Sequence, residues 1–306
     1  MKNVLKCILL LFLLFNTFAS HGQTKSTEIL LWPGTPPDGP GPSGTEHVSD
    51  KGSYTNISRP RLIVHRPSHP NGVAMLVISG GGYAHIEVGN ESGPAGNWLQ
   101  EQGITAFELI YRLPAEGWAN VNVPFEDAQR AMRLIRSRAE EYGLDPHKIG
   151  IMGFSAGGHL AGMTETEYNK QWYVPVDRVD QHSARPDFVA LLYPVITMLP
   201  PYNHTHSEKE IVGTYASTTL QKAYSVELHV SEKTPPTFLA QAIDDPISNV
   251  ENSRLMYAAL QQNHIVSEIH LFPAGGHGWG MGKPASPVHE WPQLFKAWAK
   301  ANGFWN

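Results

Sequence analysis

Ile149-Gly150-Ile151-Met152-Gly153-Phe154-Ser155-Ala156-Gly157-Gly158 is the stretch on which the reading of this chain turns. A short apolar run meets a serine set among small residues, and a helix-compatible segment continues to Thr164. That is a strand-to-helix corner. Such a corner holds its central residue in a strained turn with the side chain exposed, and the helix start leaves backbone N–H groups without partners. Small residues on both sides let strand, turn and helix approach closely. Ser155 is therefore the candidate nucleophile.

Working outward, apolar runs at 73–78, 105–110, 188–193, 237–243 and 267–272 join 149–154 as predicted strands. Their near-continuous apolar character predicts burial on both faces. Between them, residues 125–142 carry Ala128, Ala131, Met132, Leu134 and Ile135 at helical spacing, with Arg130, Arg133 and Arg136 interleaved; 252–262 and 292–301 read similarly. Strands alternating with helices predict an α/β fold with a mostly parallel central sheet and helices on both faces, and ligands belong at the carboxyl ends of its strands. From Trp32 to Thr55 the chain is crowded with Pro, Gly and Ser and reads as an irregular surface arm. Two stretches, 165–185 and 196–235, break the alternation. They hold Tyr168, Trp172, Tyr173, Tyr202, Tyr215 and Tyr224, which either wall a substrate cleft beneath a lid or pack the insertions down.

The first residues set Lys2 and Lys6 before the apolar run 8–15, followed by small and polar residues to Gln23. This is the order of a secretory signal peptide over 1–22, and the run is far shorter than the ~20 residues that span a bilayer. The remainder, 23–306, is expected to be one secreted or periplasmic domain without an integral span. Cys7, the only cysteine, falls in the leader, so neither disulfide nor thiolate chemistry is expected after cleavage. The formal charge of −5 offers no basic stripe for nucleic acid.

A serine hydroxyl needs a base to take its proton, and the base needs an anion to fix its tautomer. The predicted strand 237–243 ends in Asp244-Asp245, and 267–272 runs into Pro273-Ala274-Gly275-Gly276-His277-Gly278. His277 is the candidate base; Asp245 is favoured over Asp244 as its partner, the other being left to hold the turn. Ser79-Gly80-Gly81-Gly82-Tyr83 follows an earlier strand, and Gly81 and Gly82 with Ala156 are the candidate donors to an oxyanion. His204 and His206, two apart with no cysteine or carboxylate pattern, do not make a metal site, and no cofactor is called for.

The segments Ser79 to Tyr83, Tyr111-Arg112-Leu113-Pro114, Asp127 to Ala131, Ile149 to Leu160, Arg185-Pro186-Asp187-Phe188, Tyr193 to Ile196 and Gly276 to Gly280 resemble the acetylxylan esterase-like (BD-FAE-type) branch of the α/β-hydrolases. The resemblance runs over roughly residues 29–304 and implies the α/β-hydrolase fold, Ser155, Asp245 and His277 as triad, and acylated plant oligo- or polysaccharide as substrate. It departs at Ser79, where the family usually has Pro, and at Ser248-Asn249, where it has Val-Pro. Tyr83, Glu91 and Trp279 are the candidate substrate-binding residues; Asn90-Glu91-Ser92 reads more readily as a helix-starting cap before Pro94. His159 is expected to pack or cap, and Arg112 with Asp127 to form a structural ion pair. Rival readings are a serine peptidase on the same triad, a glycoside hydrolase, and an inactive carbohydrate-binding protein.

Overall fold

A computed structural model describes residues 27–305; the leader assigned to 1–22 lies outside the described residues. The strands are β1 (Thr27–Leu30), β2 (His47–Val48), β3 (Ser53–Thr55), β4 (Arg61–His65), β5 (Ala74–Ile78), β6 (Ile86–Glu87), β7 (Thr105–Ile110), β8 (Ile149–Phe154), β9 (Val189–Leu192), β10 (Thr237–Ala242) and β11 (Ser267–Phe272). Eight of them form one sheet in the order β1-β4-β7-β5-β8-β9-β10-β11. From β7 to β11 every pairing is parallel, and β4 and β1 add antiparallel strands at one edge. β2, β3 and β6 form a separate small sheet.

The helices are α1 (Ser92–Glu101), α2 (Val123–Ser137), α3 (Ala139–Tyr142), α4 (Ala156–Thr166), α5 (His206–Ile211), α6 (Thr218–Ala223), α7 (Glu251–Gln262) and α8 (Trp291–Ala301). Successive side chains of a strand point to opposite faces, so each buried strand feeds two cores. Leu76, Ile151, Leu191 and Leu239 pack with Met132 of α2, Leu160 of α4 and Leu260 of α7. Their neighbours Met75, Met152, Ala190 and Phe238 pack with Leu99 of α1 and with Trp291 and Phe295 of α8. Every residue of β5, β7, β8, β9 and β10 is buried, as the apolar runs predict; β11, at the free edge, is only partly covered.

After β5 the chain turns to β7 on one side, then crosses to β8 on the other. The carboxyl ends of β5 and β8 therefore flank the switch point, where a crevice opens.

Some expectations are corrected. The arm from Trp32 is not wholly superficial: Trp32 is buried, its indole N–H donating to Asp127 Oδ1 at 2.8 Å, and the segment contains β2 and β3. Arg112 and Asp127 do pair, both fully buried, with the guanidinium also reaching Glu126 and the Pro37 carbonyl. The arm is thus fastened by a buried charge cluster, of a kind whose rupture by removing one partner costs ~3–5 kcal/mol. β4 alternates between buried and half-buried residues, the period of a strand with one open face.

Glu165 on α4 is buried, with Oε2 accepting from Thr237 Oγ1 at 2.9 Å and Oε1 without a partner. Burial pushes its carboxyl from 4.5 up to about 8. The native state keeps this proton where the unfolded chain has released it, so the contribution to stability is complete below about pH 4.5 and lost as pH rises through about 8. Glu165→Gln should flatten the fall in Tm from about pH 5 to pH 9. Parallel wild-type and variant curves in that range would contradict this.

Candidate active site

The turn after β8 places Ser155 at φ 52°, ψ −116°, a region that residues bearing a Cβ rarely occupy. Its backbone is pinned: the N–H donates to Leu192 O at 3.0 Å, and the carbonyl accepts from Val195 N at 3.1 Å and His159 N at 3.2 Å. Two neighbouring glycines are steric requirements. A Cβ on Gly157 would fall 2.3 Å from Ile78 O, and one on Gly80 would fall 2.7 Å from Ser155 Cβ.

Ser155 Oγ lies 2.8 Å from His277 Nε2, and His277 Nδ1 lies 2.7 Å from Asp245 Oδ2. Asp245 also accepts from Gln241 Nε2 at 2.9 Å through Oδ2, and from the amides of Ile247 and Ser248 at 2.8 and 2.9 Å through Oδ1. An acceptor so completely occupied by donors is fixed in place, leaving Nδ1 of the base to carry the proton. Asp244 does something else: its Oδ1 takes the Gly276 amide at 2.8 Å and holds the loop that bears His277. Ser248, one of the two departures from the family pattern, fastens the same turn, donating from Oγ to Pro194 O at 2.6 Å.

The loop after β5 is braced by its own carbonyls, Gly81 O accepting from Ala84 N and Gly80 O from Glu87 N. The amides of Gly81, Gly82 and Ala156 donate to no protein acceptor among the described residues. The Gly80 amide is taken by Glu91 Oε2 at 2.6 Å. Ser79, the other departure, ties this loop to the start of α1, its Oγ accepting from Ser92 N at 2.9 Å.

Glu91 sits at the N-cap position of α1 without capping it. Its Oε1 accepts from Tyr193 Oη at 2.9 Å, and that oxygen in turn accepts from the Gly280 amide at 3.0 Å. The Tyr193 ring stands edge-on to His277 with centroids 4.9 Å apart. Glu91 therefore links the glycine loop to the histidine loop, and burial pushes its carboxyl up to about 7 despite both hydrogen bonds. It also borders the cavity.

Two residues expected in the substrate pocket do not line it. Tyr83 is fully buried, donating from Oη to His159 Nδ1 at 2.8 Å. His159 Nε2 faces Tyr224 O at 2.8 Å, and burial lowers that imidazole to about 4, so the ring is neutral and packed. Trp279 is buried beside Tyr193 and Trp291, an apolar setting that gives the indole more contact than the solvent-facing mouth would. Two of the insertion aromatics also turn inward, Trp172 stacking on Phe125 and Tyr173 meeting Trp32 edge-on, whereas Tyr215 is exposed.

Over Ser155 and His277 opens a cavity of about 520 Å³. Sequence reading missed much of its wall: His85, Asn90, Val195, Thr205, His206 and Ile247. The one signal for His85 is its place just beyond the glycine run. Nothing in the sequence points from 205–207 to the site, because a long connection brings them there.

The strained backbone at Ser155 has a measurable cost. Glycine adopts this conformation freely, and relief of ~1–3 kcal/mol outweighs its ~0.5–1 kcal/mol entropic penalty. Ser155→Gly is expected to be about 1 kcal/mol more stable than Ser155→Ala in urea titrations. An Ala variant of equal or greater stability would show the turn to be unstrained.

Residues 64–260 match the BD-FAE family. Acetylxylan esterase of Xylanibacter ruminicola is 31% identical over 242 residues, which are 78% of this chain and 46% of that protein. Endo-1,4-beta-xylanase B of Butyrivibrio fibrisolvens is 36% identical over 210 residues, 67% of this chain and 32% of that one. The chain thus spans less than half the length of either relative. The crystal structure of the acetyl ester-xyloside bifunctional hydrolase from Caldicellulosiruptor lactoaceticus is similar at a TM-score of 0.79 and 34% identity, over 92% of this chain and 98% of that one. With the parallel sheet, the turn at Ser155 and these likenesses together, the chain belongs to the BD-FAE family of α/β-hydrolases.

Proposed function

We propose that this protein is a secreted serine carboxylesterase that removes acyl groups, acetyl foremost, from plant polysaccharide such as xylan. The observation that carries the reading is the run of short contacts Ser155–His277–Asp245 beneath a cavity bordered by unengaged amides. Acetyl and xylan come from the names of the relatives, and export comes from the residue order at the N-terminus.

In this mechanism His277 Nε2 takes the Ser155 proton as Oγ attacks the ester carbonyl carbon. The carbonyl oxygen becomes an oxyanion and is met by the amides of Gly81, Gly82 and Ala156, of which one well-aimed donor is worth ~3–4 kcal/mol. The tetrahedral intermediate collapses with cleavage of the bond to the alkoxy oxygen, which receives the proton from His277, and an acyl-serine remains. Water, deprotonated by the same imidazole, attacks this acyl group; Ser155 regains a proton and the carboxylic acid departs. Asp245 stays ionised throughout and steadies the imidazolium.

The glycoside-hydrolase rival needs two carboxyls on opposite sides of a sugar bond, ~5–9.5 Å apart. Asp244 and Asp245 are instead both engaged in supporting the His277 loop.

Ser155→Ala should keep the Tm within a few degrees and lower turnover of p-nitrophenyl acetate at least ~10⁴-fold. Undiminished turnover would end the mechanism. Asp245→Asn should cost ~10³–10⁴-fold, and Asp244→Asn, which disturbs only a backbone tie, about tenfold or less; the reverse ranking would exchange their roles. On acetylated xylan the enzyme should liberate acetate without new reducing ends. Reducing ends from deacetylated xylan would favour the rival.

A further inference from the structure

Two histidines that the ester mechanism leaves unused lie directly against the oxyanion loop. A Cβ on Gly82 would fall 3.0 Å from His206 Cβ and 3.2 Å from its Cδ2, and one on Gly81 would fall 2.9 Å from His85 Cδ2. His85 follows the loop in sequence; His206 arrives from the connection between β9 and β10. Both line the cavity, and both keep substantial exposure, 38% and 52% of the side chain.

Each imidazole is held the same way. His85 Nε2 lies 2.7 Å from Glu87 Oε1, and His206 Nε2 lies 3.2 Å from Glu210 Oε1. A carboxylate beside Nε2 favours the tautomer protonated there, which leaves Nδ1 as the acceptor. Among the described residues neither Nδ1 has a hydrogen-bond partner. Glu87 is itself held by Ser53 Oγ at 2.9 Å. The cavity thus has two unengaged imidazole nitrogens on the side of the glycine loop, while Val195 and Ile247 offer apolar contact. A simple alkyl ester has no hydrogen to give such acceptors. An alcohol bearing free hydroxyls next to the ester does.

We propose that His85 and His206 determine specificity by accepting hydrogen bonds through Nδ1 from hydroxyls flanking the scissile ester, selecting a polyhydroxylated alcohol portion over an aliphatic one. This rests on the esterase reading. The alternative is that both rings merely pack against the loop, in which case every ester suffers alike when they change.

The matched probes are a monoacetylated methyl xyloside and cyclohexyl acetate, six-membered rings with and without hydroxyls. His206→Phe and His85→Phe keep a planar ring on the loop and remove its nitrogens. Each is expected to lower the xyloside-to-cyclohexyl ratio of kcat/KM about tenfold, the worth of one hydrogen bond to a site built for it. Glu210→Gln, which leaves His206 packed but frees its tautomer, is expected to lower the ratio less. A ratio unchanged in both Phe variants, with the two substrates losing rate equally, overturns the proposal. A wild-type protein that cleaves neither acetate, nor p-nitrophenyl acetate, brings down the esterase reading and the proposal with it.

Discussion

Everything at this site depends on two backbone turns being allowed to touch. The turn leaving β5 and the turn leaving β8 approach so closely that a methyl group on Gly80 or Gly157 would overlap the other turn. Interiors pack at crystal-like density and cannot yield by most of an ångström without wider cost. The absence of those side chains lets the Ser155 hydroxyl and the amides of the glycine loop face one volume. A parallel sheet supplies the rest, since adjacent strands on either side of the switch point end at the same level.

The polar groups around this contact form a frame more than a reservoir of stability. Asp245 takes two amides and a glutamine before it meets His277, and Asp244 holds the histidine loop by a separate bond. Glu91 bridges the loops through Tyr193. Behind Ser155, the neutral His159 accepts from Tyr83 and faces the Tyr224 carbonyl, fixing the second insertion to the helix that starts at the serine. These groups are in place before any substrate arrives, the condition under which dipoles act on developing charge without reorganising.

The central sheet was legible because strands covered on both faces leave nearly unbroken apolar runs, and 105–110 and 149–154 match their strands end to end. β1 and β4 escaped that test because a strand with one open face does not form an unbroken apolar run. α1 was legible only at its start, in Asn90-Glu91-Ser92, because Gly93, Pro94 and Gly96 resemble a breaker while serving close packing. At the site, Ser155, His277 and Asp245 could be picked out by position, each just past a strand. Tyr83 and Trp279 went astray because nearness in sequence to a motif says nothing about which way a ring turns. His206 was seen only as half of an unconvincing metal pair, since long-range folding alone carries it to the glycine loop.

The free edge of the sheet has a consequence of its own. β11 ends the row of strands with only partial cover, and an unpaired row of backbone donors and acceptors invites a neighbouring copy to dock as a ninth strand. Glu268 and His270, paired along that edge, place charge where a newcomer would have to desolvate it. The border of the sheet thereby carries a guard against runaway stacking.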